Sequence, residues 1–491
     1  MDVILKQTDK NLGIIPVRGD IYNAMVREWL SEPAFTRVQA FPYEELFNQL
    51  KELVLPSRSL SPKLKAIMLQ KARKNKDPAP FYLSPKIHKS KLGSRPITAQ
   101  HSYILSGVSK SIADILQDFV QEISYIGRDS KTTVRRLEEF KPPEQFVFLT
   151  YDVEACYPSI DILDAIATLE SNMKMISPIW FKLLEMVMWN NYVSCNGKIY
   201  LQNIGTATGT QVAPQFANLY LYYKFKKVLD DDAILFQERF IDDGLLIIKT
   251  KEDGERIIEG LRRTSNLKLT YELSETQAMY LDITIYKGYR FKSEGKVDLK
   301  TYFKPTNKML YLPAVSNHPQ SMKNGIVTGE AIRTLRNSSS KAEWIKALRH
   351  IFKGLMARGH KPDMIKRKWK EIRFEDRDFY IFNKTTRMAP EGTIIRTSYN
   401  PQTQAIWRML VAKYPLENVL KKRKEKWTQK QVEVLKKWPP KILWMDFFKI
   451  AQKTINSKAQ WSYVKKRKRN GAGAEERPLK QQRTGPWNTK P

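Results

Sequence analysis

The sequence predicts an α+β protein in which short antiparallel strands carry acids and a long helical region carries basic charge. Three observations point there. Residues 146–152 (FVFLTYD) and 239–248 (RFIDDGLLII) are runs of β-formers that end in, or close around, aspartates. Residues 267–303 form a further strand-rich stretch, and residues 320–460 turn helical and strongly basic. Strands and helices gathered in separate runs mark the α+β class, and 491 residues hold about three domains at roughly 150 residues each.

The elements can be justified in chain order. Residues 1–60 mix short apolar stretches with charges, and residues 60–75 read as a basic helix opened by Ser61-Pro62. Residues 81–98 give two β-like arms around a Gly-containing basic turn, and residues 105–119 return to a helical period. After the strand at 146–152, helical periodicity resumes from Asp161. Residues 205–226 begin as a Gly/Thr loop and become a helix started by Pro214, with Phe216, Leu219 and Tyr220 as its core stripe. Residues 239–248 read as a hairpin, since Asp-Gly is a favoured turn pair. Within the basic region lie KRKWK at 366–370 and KKRKEK at 421–426, with Trp369, Trp407, Trp427 and Trp438 expected as core anchors. Residues 465–491 open with KKRKR and are polar, which predicts a disordered tail.

Charge and cysteine content narrow the function classes. Lys and Arg number 84 against 51 Asp and Glu, a net charge of +33 that exceeds what solubility asks for and points to a polyanionic partner. The basic residues are spread along the chain and no long basic amphipathic helix stands out, which favours nucleic acid over a membrane surface. Cys156 and Cys195 cannot build a disulfide framework or a four-ligand zinc site, so a reducing intracellular compartment is expected. There is no run of 18 apolar residues and no signal-like N-terminus, so the expectation is a soluble chain that is not exported.

The acids carry the chemistry. Asp152, Asp242 and Asp243 lie in otherwise apolar segments where Arg239 is the one cation, and crowding ionised carboxylates there costs several kcal/mol each unless cations neutralise them. Divalent metal is the simplest answer. Two Mg²⁺ ions about 4 Å apart, or Mn²⁺ in their place, activate an attacking hydroxyl and stabilise a departing pyrophosphate, which is nucleotidyl transfer. Either motif by itself also fits an ordinary turn, but the two together, with a basic hairpin upstream and a Gly/Thr loop between them, argue for a site.

YDVEACYPSI at 151–160, TGTQVAPQFANL at 208–219, FIDDGLLI at 240–247 and SPKIHK with SRPI at 84–97 resemble the motifs of a reverse transcriptase. TDKNLG at 8–13, YLDITI at 280–285, YFKPTNKMLYL and SNHP between 302 and 319, and ARGHKP at 357–362 extend the resemblance to the Penelope-like retroelement lineage, related to telomerase. The resemblance runs from about residue 8 to about residue 450 in the expected order.

It implies a right-hand polymerase with an antiparallel-sheet palm. Residues 1–60 would extend the fingers, 61–145 form the fingers, 146–300 the palm with a fingers insertion, and 301–390 the thumb. Residues 391–464 would be a basic helical extension and 465–491 the tail. By similarity Asp152 and Asp242 hold both metals, Asp243 supports them and the Val153 carbonyl is an added ligand. Arg95 resembles the arginine that grips the incoming triphosphate, with Lys86 a second contact for which Lys89 and Lys91 compete. Tyr157 falls where the family carries the steric gate against a ribose 2′-hydroxyl, a position at which RNA-dependent RNA polymerases usually carry an Asp, so dNTP is the expected substrate.

Ala155 and Cys156 would line the nucleotide pocket through backbone groups, and Thr208, Gly209 and Thr210 would face the nascent base pair. Lys268 is either the general acid for pyrophosphate or a surface lysine. The implied partners are an RNA template, a DNA primer or target DNA and dNTP, with no membrane. The KKRKR patch at 465–469 suggests a nuclear protein, cytoplasmic during synthesis, or a tail that adds nonspecific RNA affinity. No GIY-YIG nuclease motif pair is present, which suggests priming without an endonuclease, although a chain cut short would look the same. RNA-templated RNA synthesis and a noncatalytic RNA-binding descendant are the alternatives.

Overall fold

The chain begins with a strand pair, β1 (Val3–Gln7) and β2 (Ile14–Arg18), whose register runs from Val3↔Arg18 to Gln7↔Ile14. The computed structural model describes residues 2–9, 13–31, 33–87 and 93–383. Apart from residues 317–319 these belong to one unit, and the second unit, 317–319 with 390–491, lies otherwise outside the described residues. Helix α1 (Gly19–Trp29), strand β3 (Phe35–Val38) and helices α2 (Tyr43–Val54) and α3 (Pro62–Lys74) follow. α3 starts as its sequence dictates: Pro62 occupies the first turn and the Ser61 hydroxyl accepts from Leu64 N–H.

The arms read at 81–98 are β4 (Ala79–Lys86) and β5 (Gly93–Thr98), followed by α4 (Ser106–Glu122) and α5 (Ser130–Glu139). Then come β6 (Val147–Val153), the short α6 (Cys156–Ser159), α7 (Ile162–Asn172) capped by Asp161, and α8 (Pro178–Trp189). β7 (Tyr192–Cys195) and β8 (Lys198–Gln202) are far from β3, β4 and β5 in sequence but complete one five-stranded sheet with them, in the order β3-β8-β7-β4-β5.

The acid-bearing strands share a second sheet. α9 (Ala213–Leu229) precedes β9 (Ile234–Phe240) and β10 (Asp243–Ile248), and α10 (Lys251–Ser265) leads into β11 (Leu269–Ser274). The order is β11-β6-β10-β9, antiparallel throughout. Leu246 and Ile248 face a core shared with α4, α8 and α9, while Leu245 and Ile247 face a separate cluster. β6 alternates likewise, with Leu149 on one side and Phe148 on the other. Two-sided burial explains why both strands read as continuous apolar runs. Each fully buried Leu, Ile or Phe stabilises by about 1.5–3 kcal/mol.

The strand-rich stretch at 267–303 divides. β11 joins the acid sheet, whereas β12 (Gln277–Tyr280), β13 (Ile283–Tyr286) and β14 (Asp298–Thr301) form a three-stranded sheet of their own, with helix α11 (Tyr289–Glu294) between the last two. Its Ile283, Ile285 and Leu299 pack beneath Phe148, Leu245 and Ile247. α12 (Gln320–Arg336), α13 (Lys341–Ala357), α14 (Pro362–Lys370) and α15 (Arg377–Phe382) follow. Trp369 is the expected core anchor, donating from Nε1 to the Val327 carbonyl at 3.0 Å. No helix among the described residues is long and apolar enough to cross a membrane. Lys89, Lys91, KKRKEK at 421–426, Trp407, Trp427, Trp438 and the tail at 465–491 lie outside the described residues.

Candidate active site

Strand register brings the acids together. Asp152 pairs directly with Asp243 across β6 and β10, and Asp242 sits one residue earlier in the turn. Opposed residues of antiparallel strands share a face with Cα atoms about 4.5–5.5 Å apart, so pairing places these side chains side by side. The expected turn needs correction. Asp243 pairs with Phe240, which leaves Ile241 and Asp242 as the turn residues and draws Gly244 into β10. Gly244 faces Tyr151, and a Cβ there would come within 2.1 Å of Tyr151 Cζ, so the glycine answers an aromatic ring rather than a turn.

Ile241 adopts a left-handed φ of 58°, unfavourable for a β-branched residue. Arg239 holds it there, donating from Nη1 to the Ile241 carbonyl at 2.8 Å and to Asn218 Oδ1 at 3.1 Å, and from Nη2 to the Asn218 carbonyl at 2.9 Å. The arginine is 1% exposed. Val153 N–H donates to the Asp242 carbonyl at 3.2 Å, tying the turn to the end of β6.

The electrostatics match this crowding. Burial pushes Asp243 up to about 6, helped by the charges of Asp242 and Asp152 and a hydrogen bond with Asp152, against the pull of Lys304. Burial likewise raises Asp242; the Asp152 charge adds to this and Arg95 opposes it. Among the described residues, no three His, Cys, Asp or Glu side chains already converge as a metal cage. The fit to a cation therefore rests on donor chemistry: carboxylate oxygens that repel one another are the set a hard divalent ion relieves.

The neighbouring residues close around these acids. Ala155 has a left-handed φ of 47° and precedes α6, where Cys156 is buried. Its thiol is pushed up to about 12, by burial first and then by the Asp242 charge, which fits packing rather than nucleophilic chemistry. Tyr157 is half-buried, and burial, Cys156 and the Asp242 charge together raise its phenol to about 12, which places the ring in the field of that acid. Its carbonyl accepts from Thr206 N–H at 2.8 Å, so the Gly/Thr loop and the tyrosine hold each other.

The same loop locks onto β5. Thr98 N–H donates to the Thr208 carbonyl at 2.9 Å, and Gly209, with φ of 120°, leaves no room for a Cβ, which would lie 2.1 Å from the Thr98 oxygen. Thr210 Oγ1 donates to Gln100 Oε1 at 2.7 Å in the interior. Arg95 lies on this strand opposite Ser84, half exposed, and Lys86 pairs with Gly93 at the hairpin end. Lys268 keeps its ammonium exposed, although its carbonyl accepts from Glu154 N–H at 2.9 Å next to the acids. The structure thus gathers Asp152, Asp242 and Asp243 by strand register, with Tyr157 and Arg95 within the field of Asp242, and links Lys268 to them through its backbone. The sequence reading did not foresee the roles of Arg239 and Asn218. The one available signal was a lone arginine in an apolar decapeptide.

Comparison with known proteins bears on the fold. A telomerase from Candida albicans, solved in complex with a TWJ fragment of telomeric RNA, superposes with a TM-score of 0.51 at 10% identity, covering 77% of this chain and 65% of that one. The chain thus spans less than two thirds of that relative's length. The RNA-dependent RNA polymerase of a human picobirnavirus gives a TM-score of 0.46 at 11% identity, covering 74% and 80% of the two chains. A Candida tropicalis telomerase gives 0.45 at 11%, over 75% and 61%. The likeness to the first of these, at a TM-score of 0.51, is one of fold. An animal helix-turn-helix domain model matches residues 310–370, the stretch of α12 to α14. No curated protein sequence matches the chain.

Proposed function

We propose that the chain is an RNA-directed DNA polymerase of the reverse transcriptase type, from a Penelope-like retroelement, joining dNTP to a primer 3′-hydroxyl. The observation that carries this reading is the register that sets Asp152 against Asp243, with Asp242 in the turn beside them and Tyr157 in its field. Asp152 and Asp242 would hold two Mg²⁺ ions, with Asp243 and the Val153 carbonyl supporting them. Such ions favour the attacking alkoxide and neutralise the departing pyrophosphate. The chain's own groups then bind and orient. Arg95 supplies a planar fork for the triphosphate. The Tyr157 ring occupies the space a ribose 2′-hydroxyl would need, and the Gly209 backbone approaches the new base pair. The basic helices α12 to α14 would follow the template–primer duplex through its phosphates.

Sugar selection tests this reading against RNA synthesis. On a primed RNA template the wild type is expected to extend with dNTP and hardly with rNTP, and Tyr157→Gly to raise rNTP use by about tenfold or more, the equivalent of at least roughly 1.4 kcal/mol. Equal use of both sugars by the wild type would point to an RNA polymerase.

A further inference from the structure

Asp9 is a buried carboxylate outside the acid cluster. It follows β1 and is 8% exposed, with Oδ1 3.4 Å from Arg95 Nε and Oδ2 lacking a hydrogen-bond partner among the described residues. An ionised carboxylate so placed is costly unless a cation answers it, and among the described residues Arg95 pairs with it. The bend presenting Asp9 is fixed by Thr8, whose N–H and Oγ1 both donate to the Gly13 carbonyl, at 2.9 and 2.8 Å.

The backbone around Arg95 is fixed as well. Trp29 Nε1 donates to Ser94 Oγ at 2.8 Å, and Thr98 N–H is held by the Thr208 carbonyl at 2.9 Å. What remains adjustable is the direction of the guanidinium. Asp9 Oδ1 lies against its Nε edge at 3.4 Å, the edge that Nε shares with one terminal nitrogen, so the other terminal nitrogen faces away from the carboxylate. With 49% of the side chain exposed, the arginine is open to an anion.

We propose that Asp9 is a positioning residue, which by pairing with the Nε edge of Arg95 aims the far edge of the guanidinium at the phosphate chain of an incoming nucleoside triphosphate. This rests on Arg95 being the triphosphate contact of the proposed polymerase. The pair joins the N-terminal strand ribbon to the sheet carrying β5, so the ribbon takes part in substrate recognition although it lies 143 residues before Asp152 (152 − 9 = 143).

Equilibrium titration of the full chain with mant-labelled dATP and Mg²⁺ tests this without turnover. Asp9→Asn and Arg95→Gln are each expected to weaken binding about tenfold, one charge-assisted contact's worth, and the double variant no further than either single one. Asp9→Glu, which keeps the charge one methylene farther out, is expected to fall between wild type and Asp9→Asn, and it supplies the reading should Asp9→Asn not fold. Unchanged binding by Asp9→Asn, losses that add in the double variant, or wild-type binding by Asp9→Glu would overturn the proposal, as would failure of the wild type to bind. Primer extension by the same wild-type preparation reads the polymerase assignment separately. Absent extension beside Asp9-dependent binding would remove that assignment and leave the role of Asp9 standing.

Discussion

Arg239 directs its guanidinium to the Ile241 carbonyl and to Asn218 on α9, so a full charge lies buried directly behind the turn that carries Asp242. A left-handed isoleucine persists only where its surroundings over-determine it, and this arginine does so. Arg239→Met would remove three hydrogen bonds and leave buried acceptors unpaired, at a cost of about 3 kcal/mol, and Arg239→Lys would recover part of that for want of a fork. Urea unfolding of the variants checks it; a methionine variant as stable as wild type would refute the role. The carboxylates were legible in the sequence because acids in apolar strands stand out. The work of Arg239 was not, since it depends on where α9 packs. Asp9 was equally hidden, because its partner lies 86 residues away (95 − 9 = 86).

At the scale of elements, the β9–β10 hairpin and its pairing with β6 form the scaffold of the site. Both strands were legible from their β-formers, yet the turn was placed two residues too late. Asp-Gly reads as a turn by local preference, but here the glycine is required by the Tyr151 ring across the ladder, a tertiary demand that local propensity does not contain. Gly244→Ala is therefore expected to destabilise the protein by about 2 kcal/mol through overpacking. Tyr151→Val in the same chain should recover much of the loss, giving a coupling well above additivity in a thermal-unfolding cycle. Strictly additive effects would mean that the ring and the glycine do not share that space. The split of residues 267–303 into two sheets was likewise illegible, because strand signals do not state which partner a strand will choose.

Across the whole molecule, distant stretches are pinned by a buried ion network. Glu138 on α5 accepts from Arg290 on α11, at 2.9 Å for one of the contacts, and from Arg377 on α15 at 2.6 Å. Burial raises the Glu138 carboxyl, but the Arg290 hydrogen bond and the Arg377 charge outweigh it and hold the group below its usual range. A depressed carboxyl stabilises the fold above its unfolded value, about pH 4.3, and that contribution fades as pH falls through the folded one. The thermal midpoint of wild type should accordingly exceed that of Glu138→Gln at pH 7, and the gap should close toward pH 3. A gap independent of pH would contradict this. A net charge of +33 sets the expectation of a polyanionic partner, and the strand and helix signals indicated a mixed helix-and-sheet protein. Sheet order, which joins residues 35–38 to 192–202 and 79–98, was beyond it because such pairings are non-local. Metal-dependent nucleotidyl transfer by the paired acids is the central proposal. The most direct measurement is dTTP incorporation on an oligo(dT)-primed poly(rA) template with Mg²⁺, by wild type and Asp242→Ala preparations that bind the template equally. Incorporation by wild type that is lost in Asp242→Ala, and lost on chelation of the metal, is the predicted result; tight template binding with no incorporation of dNTP or rNTP would contradict it.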